Sequence, residues 1–370
     1  MKMKFQAMRI VSSLVMMAGL IGGVWGELVL LAQNVSEKPS AVSEASPKPQ
    51  LPYCSVCGKR CTGRYMVLRN EKFCSSECIG TKFSCASCGV TLGVGENTAF
   101  STLKDIQEKE LLFCGACMEK PSCTFCGSRK ETALLPDKRI SCATCRSLAV
   151  FKTEDARSIL TSVQKMLAER FGFPVDPDIP LKVLPYEEFH QHRKDYSSSS
   201  EALAFHLTEV SGHTWLSDDG KTLYVEMDTL DSGMLVLEGA PGPLVFDAIA
   251  HELTHEFLRR KFYHFEDPKI EEGFCESIAA ACSIFNGHPS LALRRIGNPD
   301  PVYGDGFRLI YPMLQDQGWE AVMEFLGKNS QPMKEYVRAH IYEMLDAETA
   351  EFIRKKKLRP KLKFGKIPKH

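Results

Sequence analysis

Thirteen of the fifteen cysteines in this 370-residue chain fall between Cys54 and Cys145. Apart from Cys61 they come in pairs: Cys54/Cys57, Cys74/Cys78, Cys85/Cys88, Cys114/Cys117, Cys123/Cys126 and Cys142/Cys145. Small domains without a large core use C-x-x-C knuckles, separated by a hairpin-length spacer, to hold tetrahedral zinc. Gly58, Gly89 and Gly127 follow three of the pairs, where such knuckles turn. Taken in order, the pairs make three four-cysteine sites: Cys54, Cys57, Cys74 and Cys78; then Cys85, Cys88, Cys114 and Cys117; then Cys123, Cys126, Cys142 and Cys145. A cross-braced pairing is the alternative. Disulfides compete with zinc, because the N-terminus reads as an export signal and export favours oxidation. Repeated C-x-x-C pairs are poor staples across a fold, so the spacing favours zinc.

The rest of the chain divides by composition. Lys2, Lys4 and Arg9 precede an apolar run from Ile10 to Trp25, a basic n-region before an h-region. Residues 1–32 therefore read as a signal peptide or, uncleaved, a membrane anchor, and the chain as exported: periplasmic, secreted or membrane-anchored. Residues 33–52 are a Ser/Pro/Glu/Lys linker. The cysteine modules occupy 53–148 and an ordinary α+β domain 151–328. A C-terminal helix follows over 329–353, then a basic tail over 354–370, where nine Lys or Arg stand without an acid. That tail reads as solvated and disordered rather than as a surface for anionic lipid or nucleic acid. Formal net charge is zero, so no global field steers acidic partners, and no nucleic acid is expected.

Within the second domain, His251-Glu252-Leu253-Thr254-His255 is H-E-x-x-H. On a helix, residues i and i+4 share a face, so His251 and His255 can grip one metal while Glu252 reaches its water. The segment 247–260 has no Gly or Pro. Its apolar stripe is Ile249, Leu253, Phe257 and Leu258. Residues 270–285 predict a second helix that opens Glu271-Glu272-Gly273-Phe274-Cys275-Glu276 and offers a third ligand from Glu271, Glu272 or Glu276. A catalytic zinc uses three protein ligands and keeps one position open. Glu276 can also orient one of the histidines from behind. Cys275 and Cys282 read as small core residues, and His213 and His264 as structural or surface histidines.

The periodicity predicts a helix capped by Thr153 and ended by Gly172. Strands are expected at 179–184, 222–227 and 234–237, and helices at 307–317 and 319–326. The segment 222–227 is the expected open edge of the sheet. In zincins such an edge receives an extended peptide by β-addition.

The first two cysteine sites resemble tandem LIM-type modules, with departures. Cys74 stands where a LIM domain usually has His, and six residues separate Cys78 from Cys85. In LIM proteins these modules bind partners. Glu272-Gly273 resembles the E-G helix opening of gluzincin peptidases, which implies Glu272 as third ligand. Tyr303-Gly304-Asp305-Gly306 resembles their Y-x-x-G segment, which implies the Tyr303 hydroxyl as oxyanion donor, against a packed tyrosine beside a turn. Arg308 binds a substrate carboxylate or pairs with Asp305. With both halves in view, the chain resembles the LIM-domain, ubiquitin-activated peptidases that limit organ growth in plants, and their bacterial relatives. The matching segments are Ala250-His251-Glu252-Leu253-Thr254-His255-Glu256-Phe257, then Ile270-Glu271-Glu272-Gly273-Phe274-Cys275, then Pro301-Val302-Tyr303-Gly304-Asp305-Gly306-Phe307-Arg308.

The fold expected is thus α+β, a zincin-like metallopeptidase domain preceded by Cys-rich LIM-like or zinc-ribbon modules. The resemblance implies Zn2+ as cofactor, one catalytic ion beside three structural ones, and protein or peptide substrates. Glu252 is the expected base. A protein partner at the knuckles and membrane contact through the N-terminus complete the expectation. The competing readings are a non-catalytic interaction protein with a degenerate peptidase domain, and a metal-dependent hydrolase of something other than peptide. Ubiquitin dependence does not carry over, because this chain has a signal or anchor segment where the plant members have ubiquitin-interacting helices.

Overall fold

The computed structural model describes residues 3–4, 51–62, 65–93, 99–174, 176–194, 202–216, 222–261, 263–332, 351, 354–357 and 359–364. The signal or anchor reading of 1–32 and most of the linker lie outside them, apart from a two-residue strand β1 (Met3–Lys4). The chain splits into two compact units, Leu20–Thr144 and Met1–Gly19 with Cys145–His370. Among the described residues no helix is long and apolar enough to cross a membrane.

The cysteine-rich segment, Cys54–Cys145, whose last cysteine falls in the other unit, repeats one local plan. A knuckle leads into an antiparallel hairpin, and a short helix follows. The hairpins are β2 (Met66–Leu68) with β3 (Glu71–Phe73), β4 (Phe100–Lys104) with β5 (Glu110–Cys114), and β6 (Ala133–Leu134) with β7 (Ile140–Ser141). The helices are α1 (Ser76–Gly80), α2 (Gly115–Met118) and α3 (Ala143–Ser147). Each knuckle closes through the same two backbone bonds. Gly58 N–H donates to Cys54 C=O at 3.0 Å, Gly89 to Cys85 at 2.9 Å and Gly127 to Cys123 at 2.9 Å. The return bonds run from Cys54 to Lys59, Cys85 to Val90 and Cys123 to Ser128, at 2.9, 2.8 and 2.8 Å. The three glycines have φ of 70°, 75° and 74°, a left-handed conformation that strains any residue with a Cβ. A third bond docks each knuckle onto its hairpin: Ser55 N–H to Lys72, Ala86 to Leu112, Thr124 to Ile140. The apolar core beneath the first two modules is small, with Phe73, Ile79, Leu92 and Phe113 fully buried.

The second unit mixes helix and sheet. It runs α4 (Thr153–Phe171), β8 (Leu181–Leu184), α5 (Tyr186–Lys194), β9 (Ala204–Leu216), β10 (Thr222–Leu237) and α6 (Gly242–Arg260). Then follow β11 (Tyr263–His264), α7 (Pro268–Phe285), α8 (Pro289–Ile296), α9 (Tyr303–Asp316), α10 (Gly318–Lys328), β12 (Gln331–Pro332) and β13 (Arg359–Phe364). Antiparallel β9 and β10 form the spine of the sheet. On the other side of β10, β8 pairs in parallel with Met234–Leu237 and β13 with Thr222–Met227.

Four expectations need correction. The strands expected at 222–227 and 234–237 are one strand. Pairing with β9 carries through the polar Asp228–Gly233 stretch, with a register irregularity between Thr229 and Asp231. The segment 222–227 is not an edge, because β9 and β13 flank it. The open edge lies instead at Ala204–His206, where β9 has no second strand among the described residues; β1 reaches only His213 and Thr214. The basic tail is not wholly unstructured, because Arg359–Phe364 forms β13. Its R-P-K-L-K-F alternates charged and uncharged residues with the period of a strand. Finally, 329–332 leave the helix and Gln331–Pro332 pair with β11, while 333–350 of the expected C-terminal helix lie outside the described residues.

Thr153 begins α4 as its first helical residue rather than its cap, and its hydroxyl accepts from Val183 N–H at 3.3 Å. Gly172 ends the helix at φ 65°. α6 and α7 start a few residues earlier than the sequence suggests. Asp267 caps α7, accepting from Lys269 N–H at 3.0 Å, with Pro268 in the first turn. An aromatic cluster fixes these helices against one another. Phe257 of α6 stacks on Phe173 at 3.9 Å between centroids, and Trp319 of α10 lies 5.9 Å from Phe274 of α7. Phe257 and Phe274 each stand two residues after a candidate ligand, so this packing sets where His255 and Glu272 can point.

Candidate metal centres

Each cysteine set gathers at one point. In all three sets the Sγ atoms lie within 4.8 Å of one another. Neighbouring sulfurs are closer: Cys57–Cys74 3.5 Å, Cys74–Cys78 3.6 Å, Cys88–Cys114 3.7 Å and Cys126–Cys142 3.6 Å. A disulfide needs about 2.05 Å. A tetrahedron of Zn–S bonds of about 2.3 Å has edges of about 3.8 Å, which is near the observed spacing. None of the fifteen cysteines forms a disulfide.

Within the first two sets the sulfurs divide: Cys54 and Cys85 are favoured as thiolates, while hydrogen bonds with neighbouring thiols push Cys74, and burial pushes Cys114, up to about 12. Backbone N–H groups at Cys57 and Cys74 bring the Cys54 thiol down to about 6. Burial pushes Cys85 up, but N–H groups at Cys114 and Cys88 overrule it and bring that thiol to about 6 as well. Cys114 N–H lies 3.4 Å from Cys85 Sγ. These dipoles suit thiolates bound to a cation. Cys61 is buried beside the first set. Burial and the neighbouring Cys54 and Cys57 thiols push its own thiol up.

The fourth centre lies between α6 and α7. His251 and His255 sit one turn apart on α6, fully buried, with Nε2 atoms 3.1 Å apart. Glu272 Oε2 faces both, 3.5 Å from His251 Nε2 and 3.7 Å from His255 Nε2. That oxygen is buried and has no hydrogen-bond partner. An ionised oxygen placed so is costly unless a cation or proton joins it. The two other acidic candidates lie behind the rings. Glu271 Oε1 is hydrogen-bonded to His255 Nδ1 at 3.0 Å, whereas Glu276 Oε1, 3.1 Å from His251 Nδ1, is close but lacks the alignment of a formed hydrogen bond. Three carboxylates of one helix thus address two imidazoles at different nitrogens.

This acidic setting raises the basicity of the rings. Burial pushes His251 down, but Glu272 and Glu276 overrule it and lift it to about 9. Burial likewise opposes charge on His255, which Cys275 and the acidic neighbours raise well above the ordinary range. Without another cation, the site recruits protons where a divalent metal would bind. Two nitrogens, one oxygen and their outer partners fit a zinc ion.

Glu276 is held in turn. Burial would raise its carboxyl, but Arg295 and His251 keep it at about 2. Arg295, on α8, donates through Nε to Glu276 Oε2 and through Nη2 to Asp247 Oδ2 at 2.7 Å. Ser283 Oγ donates to Asp247 Oδ1 at 2.5 Å. All four residues are buried. The sequence reading missed Arg295 and Asp247. Asp247, four residues before His251, carried a faint signal as an acid on a buried face.

Glu252 is fully buried, and its Oε2 accepts from the backbone N–H of His206 at 3.1 Å, on the open edge of β9. His206 is a second omission, and its ring lies 3.7 Å from Glu256. Cys275, expected as a core residue, is buried but also belongs to a donor group with His251 and His255. Tyr303 is half-buried in the first turn of α9, which crosses α7 at Gly273 and Gly306. Arg308 binds Asp305 at 2.6 Å and the carbonyls of Ile296 and Asn298 at 2.9 and 2.6 Å, so it clamps its own loop. His264 lies in β11 and His213 in β9.

Comparison with known proteins agrees at a coarse level. The chain is 23% identical to Protein DA1 of Arabidopsis thaliana over an alignment of 221 residues, covering 47% of this chain and 41% of that protein. The match spans about two fifths of the relative's length. No family model matches. No solved structure matches. The likeness to Protein DA1 is partial, and the clustered thiols beside it are three sets able to hold a zinc ion each.

Proposed function

We propose that the chain is a zinc-dependent metallopeptidase of gluzincin type, with a zincin-like catalytic domain and N-terminal knuckles that bind a protein partner or the substrate. The observation that carries this is the convergence of His251 Nε2, His255 Nε2 and the partnerless Glu272 Oε2, with Glu252 buried on the same α6 helix. In this reading those three residues are the ligands of the catalytic ion. A zinc ion bound there supplies Lewis acidity and an acidified water.

The chain's own residues do the rest. Glu252 takes the proton of the attacking water and passes it to the leaving amine. The His206 N–H fixes one of its oxygens. An extended peptide docks on the edge at Ala204–His206 by strand addition, which brings its carbonyls past Glu252. Tyr303 donates its hydroxyl to the oxyanion. Glu271 and Glu276 hold the Nδ1 sides of the histidines, so that both Nε2 atoms face inward. We further propose that the chain works outside the cytoplasmic membrane, released or anchored by residues 1–32. A reporter fused after His370 and active only in the cytoplasm would reject that placement.

The deciding experiment is cleavage of a general protein substrate by the purified chain, with and without chelator, beside Glu252→Gln. The variant should keep its fold and zinc and lose about 100- to 10,000-fold in rate. Wild-type cleavage by Glu252→Gln, with contaminating protease excluded, overturns the mechanism. Absence of cleavage by a zinc-loaded wild type across a broad peptide library leaves the knuckles as the working part.

A further inference from the structure

Cys275 follows Glu272 by three residues on α7, so the two residues share a helix face. Its Sγ belongs to a group with His251 and His255 in which every donor lies within 4.8 Å of the others. Glu272 Oε2 approaches the same imidazoles from a buried position without a hydrogen-bond partner. The histidine pair is therefore offered two further donors of opposite character, a hard carboxylate and a soft thiol. Zinc accepts both. Simple core filling does not account for the placement. Cys282, two turns further along α7, is just as buried and joins no donor group among the described residues.

We propose that Cys275 is a direct ligand, through its thiolate, of the ion held by His251 and His255. The inference rests on the metal-site reading given above and adds a ligand to it. On binding, the thiol loses its proton to solvent and one sulfur–metal bond forms. Glu272 stands outside the group that gathers Cys275, and its shift onto the same ion would complete a set of two nitrogens, one oxygen and one sulfur, enough to close a tetrahedral shell. Structural zinc sites are closed in this way, whereas catalytic ones keep a position for water. Cys275 therefore makes the loaded site latent, and water gains access only when Sγ leaves. A sulfur ligand also biases the site toward zinc and against magnesium or calcium, which take oxygen.

Cobalt(II) reports the ligand directly. The full chain, His255→Ala and Cys275→Ser are each reconstituted with cobalt and compared by absorption and metal content. Subtracting His255→Ala from wild type cancels the three four-cysteine sites, which both chains share. The proposal expects one additional cobalt in wild type and a difference spectrum with both d–d bands and a sulfur-to-cobalt charge-transfer band. The same subtraction with Cys275→Ser should keep the d–d bands and lose the sulfur band. Should Cys275→Ser fail to fold, the wild-type subtraction decides alone. An additional cobalt with d–d bands but no sulfur band overturns the thiolate ligand and leaves the histidine site standing. Equal cobalt content in wild type and His255→Ala overturns the metal site itself, and this inference with it.

Discussion

The two units build cation sites by opposite means. In the cysteine-rich unit, each site is made by one short stretch of chain. A knuckle, a hairpin and a helix turn bring four sulfurs together within one short run of chain, the longest being Cys85 to Cys117. The apolar core there is small, so a metal bound to each set would supply much of what a larger core does. In the second unit, the candidate ligands come from two long buried helices, and aromatic packing with a buried ion network aims them. There the fold makes the site. In the first unit the site makes the fold.

Metal removal is the widest test of that contrast. Structural zinc contributes about 10–16 kcal/mol of apparent folding free energy in small domains. Stripping the chain with a strong chelator should melt residues 53–142 and leave the second unit folded around Phe257, Phe274 and Trp319. Limited proteolysis with mass mapping reads this out. Cuts should cluster within Cys54–Cys142 in the stripped chain and disappear when zinc returns. Cleavage spread equally over both units would break the comparison.

The same contrast decides what was legible in the sequence. The knuckles were fully visible, because C-x-x-C-G states its own turn and its own ligands, and all three sets came together as grouped. The His251–His255 pair was visible for a similar reason, since both residues lie on one helix. What lay hidden is what distant segments do to each other. The role of Arg295 depends on α8 bringing it to Glu276 and Asp247, 19 and 48 residues back in the chain. That Thr222–Met227 is not the sheet edge depends on β13 covering it, and the charged R-P-K-L-K-F segment read more readily as tail than as strand. Local polar runs also misled at Asp228–Gly233, where the ladder with β9 outweighs the turn signal.

A smaller effect isolates the ion network from the ligands. Arg295→Met removes the cation drawn to both Glu276 and Asp247 in the described contacts and leaves two buried carboxylates without it. Removing one partner of a buried pair costs about 3–5 kcal/mol. The second unit should melt at distinctly lower temperature, while zinc bound by the cysteine sets stays unchanged. Asp247→Asn together with Arg295→Met should recover part of the loss, since one uncompensated charge goes with it. If Arg295→Met melts like wild type, the network does not hold the metal helix and the second unit's sites are as local as the first's.

The smallest effect concerns where α7 meets α9, and a matched pair of substitutions gives it a sign. A Cβ on Gly273 would lie 2.2 Å from Gly306 O and 2.3 Å from Gly306 C, both backbone atoms. The reciprocal contact is as tight, with a Gly306 Cβ 2.3 Å from Lys269 O. No side chain can swing away, so Gly273→Ala has to part the two helices. Overpacking of this kind costs about 1–3 kcal/mol, and it moves Glu272, the next residue. Gly327 in α10 is the control, because nothing lies within 4 Å of its added Cβ. There the same exchange removes backbone freedom from the unfolded chain and should stabilise by about 0.5–1 kcal/mol. Equilibrium denaturation of the two variants should therefore move in opposite directions. Loss of zinc affinity at the His251–His255 site should accompany Gly273→Ala alone. Equal and small shifts in both would mean that the α7–α9 crossing tolerates spreading, and that Glu272 is placed by α6 rather than by the glycine contact.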